Sequence, residues 1–378
     1  MPLWCVIALQ NRVTVEVSAA LSREPFLYGK TPPSLNFSSE LRLQPFGNSC
    51  FLPQKKNRIF RGHIVTFFFF IAYLFPLYYN RDIVREGGPA MKIKELLDSP
   101  KVTISCELFP PKKGTELQNA MDIVHAIAID GVDYMSVTYG AGGTAVGKSL
   151  AIASEVERSG VPALAHLTCI GAKKDGIARV LRDMKAGGID NVLALRGDRP
   201  QGMDELPESD FPHASDLVRF IKETGDFCVG CATYPEGHPE SRTLDEDLEN
   251  MKRKVDAGCD FLVTQMFFDN EMFYNFMYRL LAKGVRVPVV AGVMPITNAK
   301  QVERIFTLSG TPIPSKLRAV VERFGDHPEA LRQAGMAYTT GQIMDLIANG
   351  FNHIHVYTMN KPEVIGGIRR TLSEVIKL

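Results

Sequence analysis

Three constellations in this 378-residue chain have residue types and spacings suited to chemistry. Glu107, Thr138, His166, Arg196 with Asp198, Tyr234, Gln265, and Tyr357 with Asn360 are polar residues that each close a short apolar run. Any one alone reads as a structural hydrogen bonder, but seven such endings in one chain read as a site assembled from several elements. Gly142-Gly-Thr-Ala-Val-Gly147-Lys148-Ser149 satisfies the phosphate-loop pattern G-x-x-x-x-G-K-[ST], and taken alone it predicts a nucleotide triphosphatase. Cys228-Val-Gly-Cys231 has the spacing of a redox or zinc pair.

The last two weaken on inspection. No apolar strand ending in a magnesium-binding Asp accompanies the phosphate-loop pattern, and the pattern follows a second strand rather than opening a nucleotide-binding domain. The cysteine pair lies in a β-type run, Phe227 to Thr233, where positions three apart point to opposite faces. Seven cysteines at irregular spacings fit buried, reduced thiols in a cytoplasmic protein, and no metal site is expected.

The elements that must position the polar endings begin at Val102. Eight β-branched or apolar runs alternate with amphipathic helical stretches: Val102–Phe109, Asp133–Tyr139, Ala163–Cys169, Asn191–Gly197, Phe227–Tyr234, Phe261–Phe268, Val287–Met294 and His353–Thr358. Most lie about thirty residues apart, as a parallel (β/α)8 TIM barrel requires. Extra helices are expected in the longer gap before the last strand. Helices are predicted over Thr115 to Ile129, Leu150 to Arg158, Leu244 to Ala257 and Pro362 to Ile376, several of them stopping at glycine. In the first strand Ile104, Cys106 and Leu108 share the face suited to covering helices, and Thr103, Ser105 and Glu107 share the other. The last strand repeats this with Ile354 and Val356 opposite His353, His355 and Tyr357, so polar side chains are expected inside the barrel. Their strand-end positions place the site at the C-terminal rim.

Residues 1–90 read differently, as a non-globular N-terminal extension. They carry ten basic and five acidic side chains against 33 and 37 in the remainder, so nucleic acid is not expected to bind the barrel. An apolar segment, 63–79, is at the lower limit for a membrane span, and only a genuine span there would bring a membrane partner. Glu86-Gly87-Gly88 can be encoded by a purine-rich string like a ribosome-binding site, so Met91 is read as the translation start. The domains expected are therefore 1–90, extension, and 91–378, catalytic barrel.

In order along the barrel, Cys106-Glu-Leu-Phe-Pro-Pro111, Ser136-Val-Thr-Tyr-Gly-Ala-Gly-Gly143, His166-Leu-Thr-Cys169, Ala194-Leu-Arg-Gly-Asp198, Tyr234-Pro-Glu-Gly-His-Pro-Glu240, Lys252-Arg-Lys-Val-Asp-Ala-Gly258, Thr264-Gln265 and Tyr357-Thr-Met-Asn360 resemble the methylenetetrahydrofolate reductases. The resemblance implies an FAD-dependent oxidoreductase. In such an enzyme NADH or NADPH reduces the flavin, and the flavin reduces 5,10-methylenetetrahydrofolate to 5-methyltetrahydrofolate, supplying methyl groups for methionine synthesis. Donor and folate would take turns on one flavin face, a ping-pong scheme.

Residue by residue, the resemblance makes Glu107 the general acid, since opening the folate ring requires a proton and burial can keep a carboxyl protonated. Asp198 would stabilise the cationic iminium formed on ring opening. Thr138, His166, Arg196, Gly197, Asp198, Tyr234, His238, Asp247 and Lys254 would hold the flavin, with Arg196 and Lys254 suited to phosphate oxygens. Gln265, Tyr357 and Met359 would join Glu107 around the substrate. Asp247 and Lys254, seven apart on a predicted helix, share a face. The glycine-rich 142–149 stretch departs from the charged sequence of many relatives and leaves the flavin contacts of that loop open. A homo-oligomer is expected; inhibition by S-adenosylmethionine is not, because no regulatory domain follows the eighth unit. The alternatives are another flavin barrel oxidoreductase, such as a proline dehydrogenase-like enzyme, and a non-catalytic binding barrel.

Overall fold

The computed structural model describes residues 91–111, 117–139, 143–198, 207–302, 305 and 312–378, together with three strands nearer the N-terminus. The chain divides into two units, 1–81 and 82–378. In the first, Leu3–Leu9 pairs antiparallel with Val13–Ala19, which pairs antiparallel with Leu43–Pro45. Sequence reading assigned no element there, although Val13, Val15 and Val17 alternate with Thr14, Glu16 and Ser18 in the two-residue period of a strand. The apolar segment 63–79 lies outside the described residues. Among the described residues no helix is long and apolar enough to cross a membrane.

All eight expected strands are present in the second unit and close into a parallel barrel: β1 (Thr103–Leu108), β2 (Met135–Val137), β3 (Ala163–Thr168), β4 (Asn191–Leu195), β5 (Cys228–Thr233), β6 (Phe261–Thr264), β7 (Val289–Val293) and β8 (His353–Val356). Strand β8 closes the ring on β1 with Ile354 beside Ile104. The helices are α1 (Ile93–Leu97), α2 (Leu117–Asp130), α3 (Gly143–Arg158), α4 (Lys174–Ala186), α5 (Ala214–Thr224), α6 (Leu244–Asp256), α7 (Asn270–Ala282), α8 (Ser315–Phe324), α9 (Pro328–Ala348) and α10 (Pro362–Thr371). The extra helices before the last strand are α8 and α9. Two helices differ from expectation: α3 starts seven residues earlier, at Gly143, and α10 ends at Thr371, with only a 3-10 turn, Val375–Lys377, beyond it.

Alternation along the strands builds two layers. Ile104, Cys106, Leu108, Ile354 and Val356 point outward into the apolar layer beneath the helices. Inside, the floor is apolar: Ile93 and Leu97 of α1 plug the barrel's N-terminal end against Tyr134, Leu164, Leu193, Cys228, Phe261, Val263 and Val290. The polar interior expected from β1 and β8 holds on that side of the barrel, where Thr103 Oγ1 meets His353 Nδ1 at 3.0 Å, while the other strands close the floor with apolar side chains. Gly230 lacks the Cβ that would stand 2.6 Å from the Phe261 ring, and so lets that ring fill the axis. Cys228 belongs to the inner layer and Cys231 to the outer one, opposite faces of β5 as the strand period demands. Asn191, fully buried, ties plug to barrel by accepting from the Ile93 amide at 2.8 Å and donating to the Met91 carbonyl at 3.1 Å.

Candidate active site

Above the floor the inner positions become polar. His355 contacts Ser105 Oγ through Nδ1 at 2.8 Å and Ser136 Oγ through Nε2 at 3.3 Å. Ser105 spends its proton on the Ile354 carbonyl (3.1 Å), so the Nδ1–H tautomer, with Ser136 donating to Nε2, satisfies the set. One level up, Glu107 and His166 face each other with Oε1 and Nε2 3.9 Å apart. They do not form an ion pair. Burial pushes the Glu107 carboxyl up to about 8 and the His166 imidazole down to about 3, so both are neutral near pH 7.

His166 also lines a cleft of about 890 Å³ that opens across the ends of β2 to β5 and runs out between α5 and α6. Nine sequence-predicted residues line it: Thr138, His166, Arg196, Gly197, Asp198, Tyr234, His238, Asp247 and Lys254. Thr138 donates to the Leu108 carbonyl (3.2 Å), and Tyr234 meets His238 edge-on with ring centroids 4.8 Å apart. His238 accepts the Glu240 amide at Nδ1 (3.1 Å), and burial lowers its pKa. Gly197 adopts φ 94° and sits where a Cβ would lie 2.7 Å from Ile170, which lets the chain turn beneath the cleft floor.

Lys254 Nζ donates to the Ala232 carbonyl of β5 at 2.9 Å, and Asp247 is buried with Oδ1 accepting from Ser241 Oγ at 3.3 Å. Asp247 and Lys254, seven apart, share a face of α6. Arg196 is engaged by Glu240, with Nη2 donating to Oε1 at 2.7 Å and Nη1 to Oε2, which raises the arginine's pKa further. The guanidinium expected to meet phosphate is thus held by a protein carboxylate here.

These residues fit an FAD dinucleotide. Among the described residues, His166 Nε2 and Asp247 Oδ2 on the cleft are buried without a hydrogen-bond partner, and such atoms call for a polar ligand or water. The cleft is lined by both polar and apolar side chains and carries Arg196, Arg253 and Lys254, which suit anionic groups.

The remaining predicted residues, Glu107, Gln265, Tyr357 and Met359, do not line the cleft and sit on the adjoining arc made by β1, β6 and β8. Tyr357 donates its hydroxyl to the Thr264 carbonyl at 2.8 Å, and Gln265 folds its Oε1 onto the Met266 amide at 3.0 Å. Met359, 43% exposed, stands at the mouth. His166 joins the two sets, lining the cleft and facing Glu107. Sequence reading missed Asn250 and Arg253, which also line the cleft. Asn250 follows Asp247 by three and precedes Lys254 by four, so helical periodicity alone could have found it.

The phosphate-loop pattern does not make a phosphate loop. Residues 143–149 belong to α3 rather than a loop, and the Ser149 hydroxyl, which that pattern reserves for magnesium, donates to the Thr138 carbonyl at 2.9 Å. Gly142 lies outside the described residues.

The chain matches the family model for methylenetetrahydrofolate reductase over residues 92–373. It is 33% identical over 273 residues to the 5,10-methylenetetrahydrofolate reductase of Pectobacterium carotovorum, covering 72% of this chain and 90% of that one. The Escherichia coli K12 protein of the same name is 34% identical, with 72% and 91% covered. A Zea mays protein named methylenetetrahydrofolate reductase (NADH) 1 is 36% identical over 295 residues, 74% of this chain but 50% of its own length. A solved structure from Clostridium thermocellum, described as binding two copies of 5-methyl-5,6,7,8-tetrahydrofolic acid, superposes with a TM-score of 0.52 at 15% identity over 75% of this chain and all of that one. At that identity it supports the shared fold.

Proposed function

Because the chain belongs to the methylenetetrahydrofolate reductase family, we propose that its barrel mouth reduces 5,10-methylenetetrahydrofolate to 5-methyltetrahydrofolate, with FAD bound in the cleft and NADH or NADPH as donor. The observation that carries this reading is a glutamic acid kept protonated by burial beside a polar cleft of dinucleotide size. Bound FAD would supply the two-electron carrier between nicotinamide and folate.

The chain's own residues supply the rest. Glu107 gives its carboxyl proton to the folate nitrogen that leaves the one-carbon bridge, and regains one from solvent. The proton ends on that nitrogen as N–H when its bond to the one-carbon unit breaks, and the donor's hydride turns the methylene into the methyl group. The Asp198 carboxylate stabilises the positive charge that develops when the ring opens. His166, Thr138, Tyr234, His238, Gly197 and Asp247 would hold the bound cofactor, and Arg196 and Lys254 would meet its phosphates. Gln265, Tyr357 and Met359 shape the folate position beside Glu107. Donor and folate taking turns on one flavin face would give ping-pong kinetics. In this reading residues 91–378 are the catalytic barrel of a cytoplasmic homo-oligomer that supplies methyl groups for methionine synthesis.

Anaerobic incubation of the flavin-loaded protein with NADH and methylenetetrahydrofolate is expected to yield 5-methyltetrahydrofolate by chromatography and mass spectrometry. Consumption of NADH with no methylated folate would refute the assignment.

A further inference from the structure

The strand that carries Glu107 outlasts its partner. β1 and β8 pair in register from Thr103 beside His353 to Cys106 beside Val356. Alternate residues of β1 aim their backbone groups at β8, and the next in that series are Glu107 and Phe109. The paired register with β8 ends at Cys106 beside Val356, and beyond it two side chains meet the β1 backbone. Thr358 Oγ1 donates to the Glu107 carbonyl at 3.3 Å. The Asn360 carboxamide then closes on Phe109 at both ends, Oδ1 accepting the Phe109 amide at 2.8 Å and Nδ2 donating to its carbonyl at 2.9 Å.

The turn that allows this is a costly one. Met359 at φ 57° and Asn360 at φ 59° are the only non-glycine residues with positive φ among the described residues. Asparagine tolerates that region, whereas methionine is strained there. Backbone strain of this kind persists only where surrounding contacts over-determine it. Here the result is that Asn360 points back into the barrel wall while Met359 faces the mouth.

Resting on the reading of Glu107 as the acid, we propose that Asn360 is a positioning residue for it. Its carboxamide meets the Phe109 backbone beyond the paired register and fixes the Glu107–Phe109 rim, so that the carboxyl is held opposite His166 and presented to the folate.

The test uses the full-length flavoprotein with Asn360→Gly, Asn360→Ala and Asn360→Asp. Glycine keeps the left-handed turn without strain and removes only the carboxamide, so it separates the clamp from the turn. Flavin reduction by NADH is expected to stay within about twofold of wild type, while reoxidation by saturating methylenetetrahydrofolate slows about 10- to 100-fold in Asn360→Gly and Asn360→Ala. Asn360→Asp keeps an acceptor for the Phe109 amide but loses the donor, so its rate falls in between; it also serves if the glycine variant fails to fold. Independently of turnover, hydrogen exchange at the Phe109 amide in the flavin-free protein accelerates at least about tenfold in Asn360→Gly, with Ser105 unchanged. Wild-type reoxidation in Asn360→Gly, or an unchanged Phe109 amide, overturns the proposal. A wild-type protein that methylenetetrahydrofolate never reoxidises overturns the underlying reading, and the proposal with it.

Discussion

His166 Nε2 stands 3.9 Å from Glu107 Oε1 deep in the barrel mouth, and neither group is charged at neutral pH. A charged pair would hold its proton on the imidazole and leave the carboxylate unable to act as an acid. Burial of both reverses that: the proton stays on Glu107, and His166 is left a neutral donor or acceptor for whatever occupies the cleft.

It follows that the folate half-reaction tracks the protonated fraction of Glu107. Its rate is expected to be level below about pH 7 and to fall tenfold per unit above about 8. Glu107→Gln slows that half-reaction about 10²- to 10⁴-fold while NADH still reduces the flavin. Stopped-flow traces of the two half-reactions across pH read both effects; an equal loss in both halves contradicts the assigned role.

Stability follows the same groups. The folded pKa of Glu107 lies above its ordinary value of 4.5, so its contribution is complete below that value and is lost as pH rises through about 8. Within that window Glu107 itself takes away about 1.4 kcal/mol per pH unit, a loss that Glu107→Gln lacks. His166 and His355 are lowered from 6.5 to about 3, so their contribution is present above 6.5 and is lost as pH falls toward 3. Urea unfolding from pH 4 to 9 is expected to show both flanks, with the alkaline one flattened in Glu107→Gln.

Arg196 must exchange its Glu240 partner, or share it, when an anionic cofactor binds. The pair is partly exposed, at 25% and 48% for the two side chains, so its strength is about 0.5–1 kcal/mol. Glu240→Gln is therefore expected to tighten FAD binding about two- to fivefold, and Arg196→Ala to weaken it. Fluorescence titration of flavin-free protein measures this, and weaker binding by Glu240→Gln would mean that the carboxylate itself serves the cofactor.

The barrel floor gives a prediction independent of chemistry. Asn191→Ala leaves the Ile93 amide and the Met91 and Ala163 carbonyls without their buried partner, at a cost of about 1–3 kcal/mol. Urea midpoints are expected to fall accordingly, while the spectrum and turnover of the folded fraction stay near wild type.

Much of this arrangement was legible in the sequence, for identifiable reasons. Strand alternation put Glu107 inside and Cys106 outside, and it separated Cys228 from Cys231. The eight strands were found because each is a short apolar run, and they came out shorter than read because the terminal polar residues turn onto the rim. What escaped was long-range or locally ambiguous. Arg196 and Glu240 are 44 residues apart, and Phe109 and Asn360 are 251 apart, so no local pattern announces either pair. Glycine-rich 142–149 reads as a loop although α3 begins at Gly143, because propensity there is overridden by the packing of the rest of the helix. The apolar floor was hidden for a similar reason: it depends on α1, five residues whose two buried side chains form too short a pattern to recognise.

The most direct test of a flavin-dependent folate reductase is one anaerobic spectrum taken in three steps. The purified protein is expected to show the visible absorbance of oxidised flavin, to lose it on adding NADH, and to regain it on adding methylenetetrahydrofolate with 5-methyltetrahydrofolate formed. A protein that binds no flavin, or whose reduced flavin stays bleached in the presence of methylenetetrahydrofolate, contradicts the account.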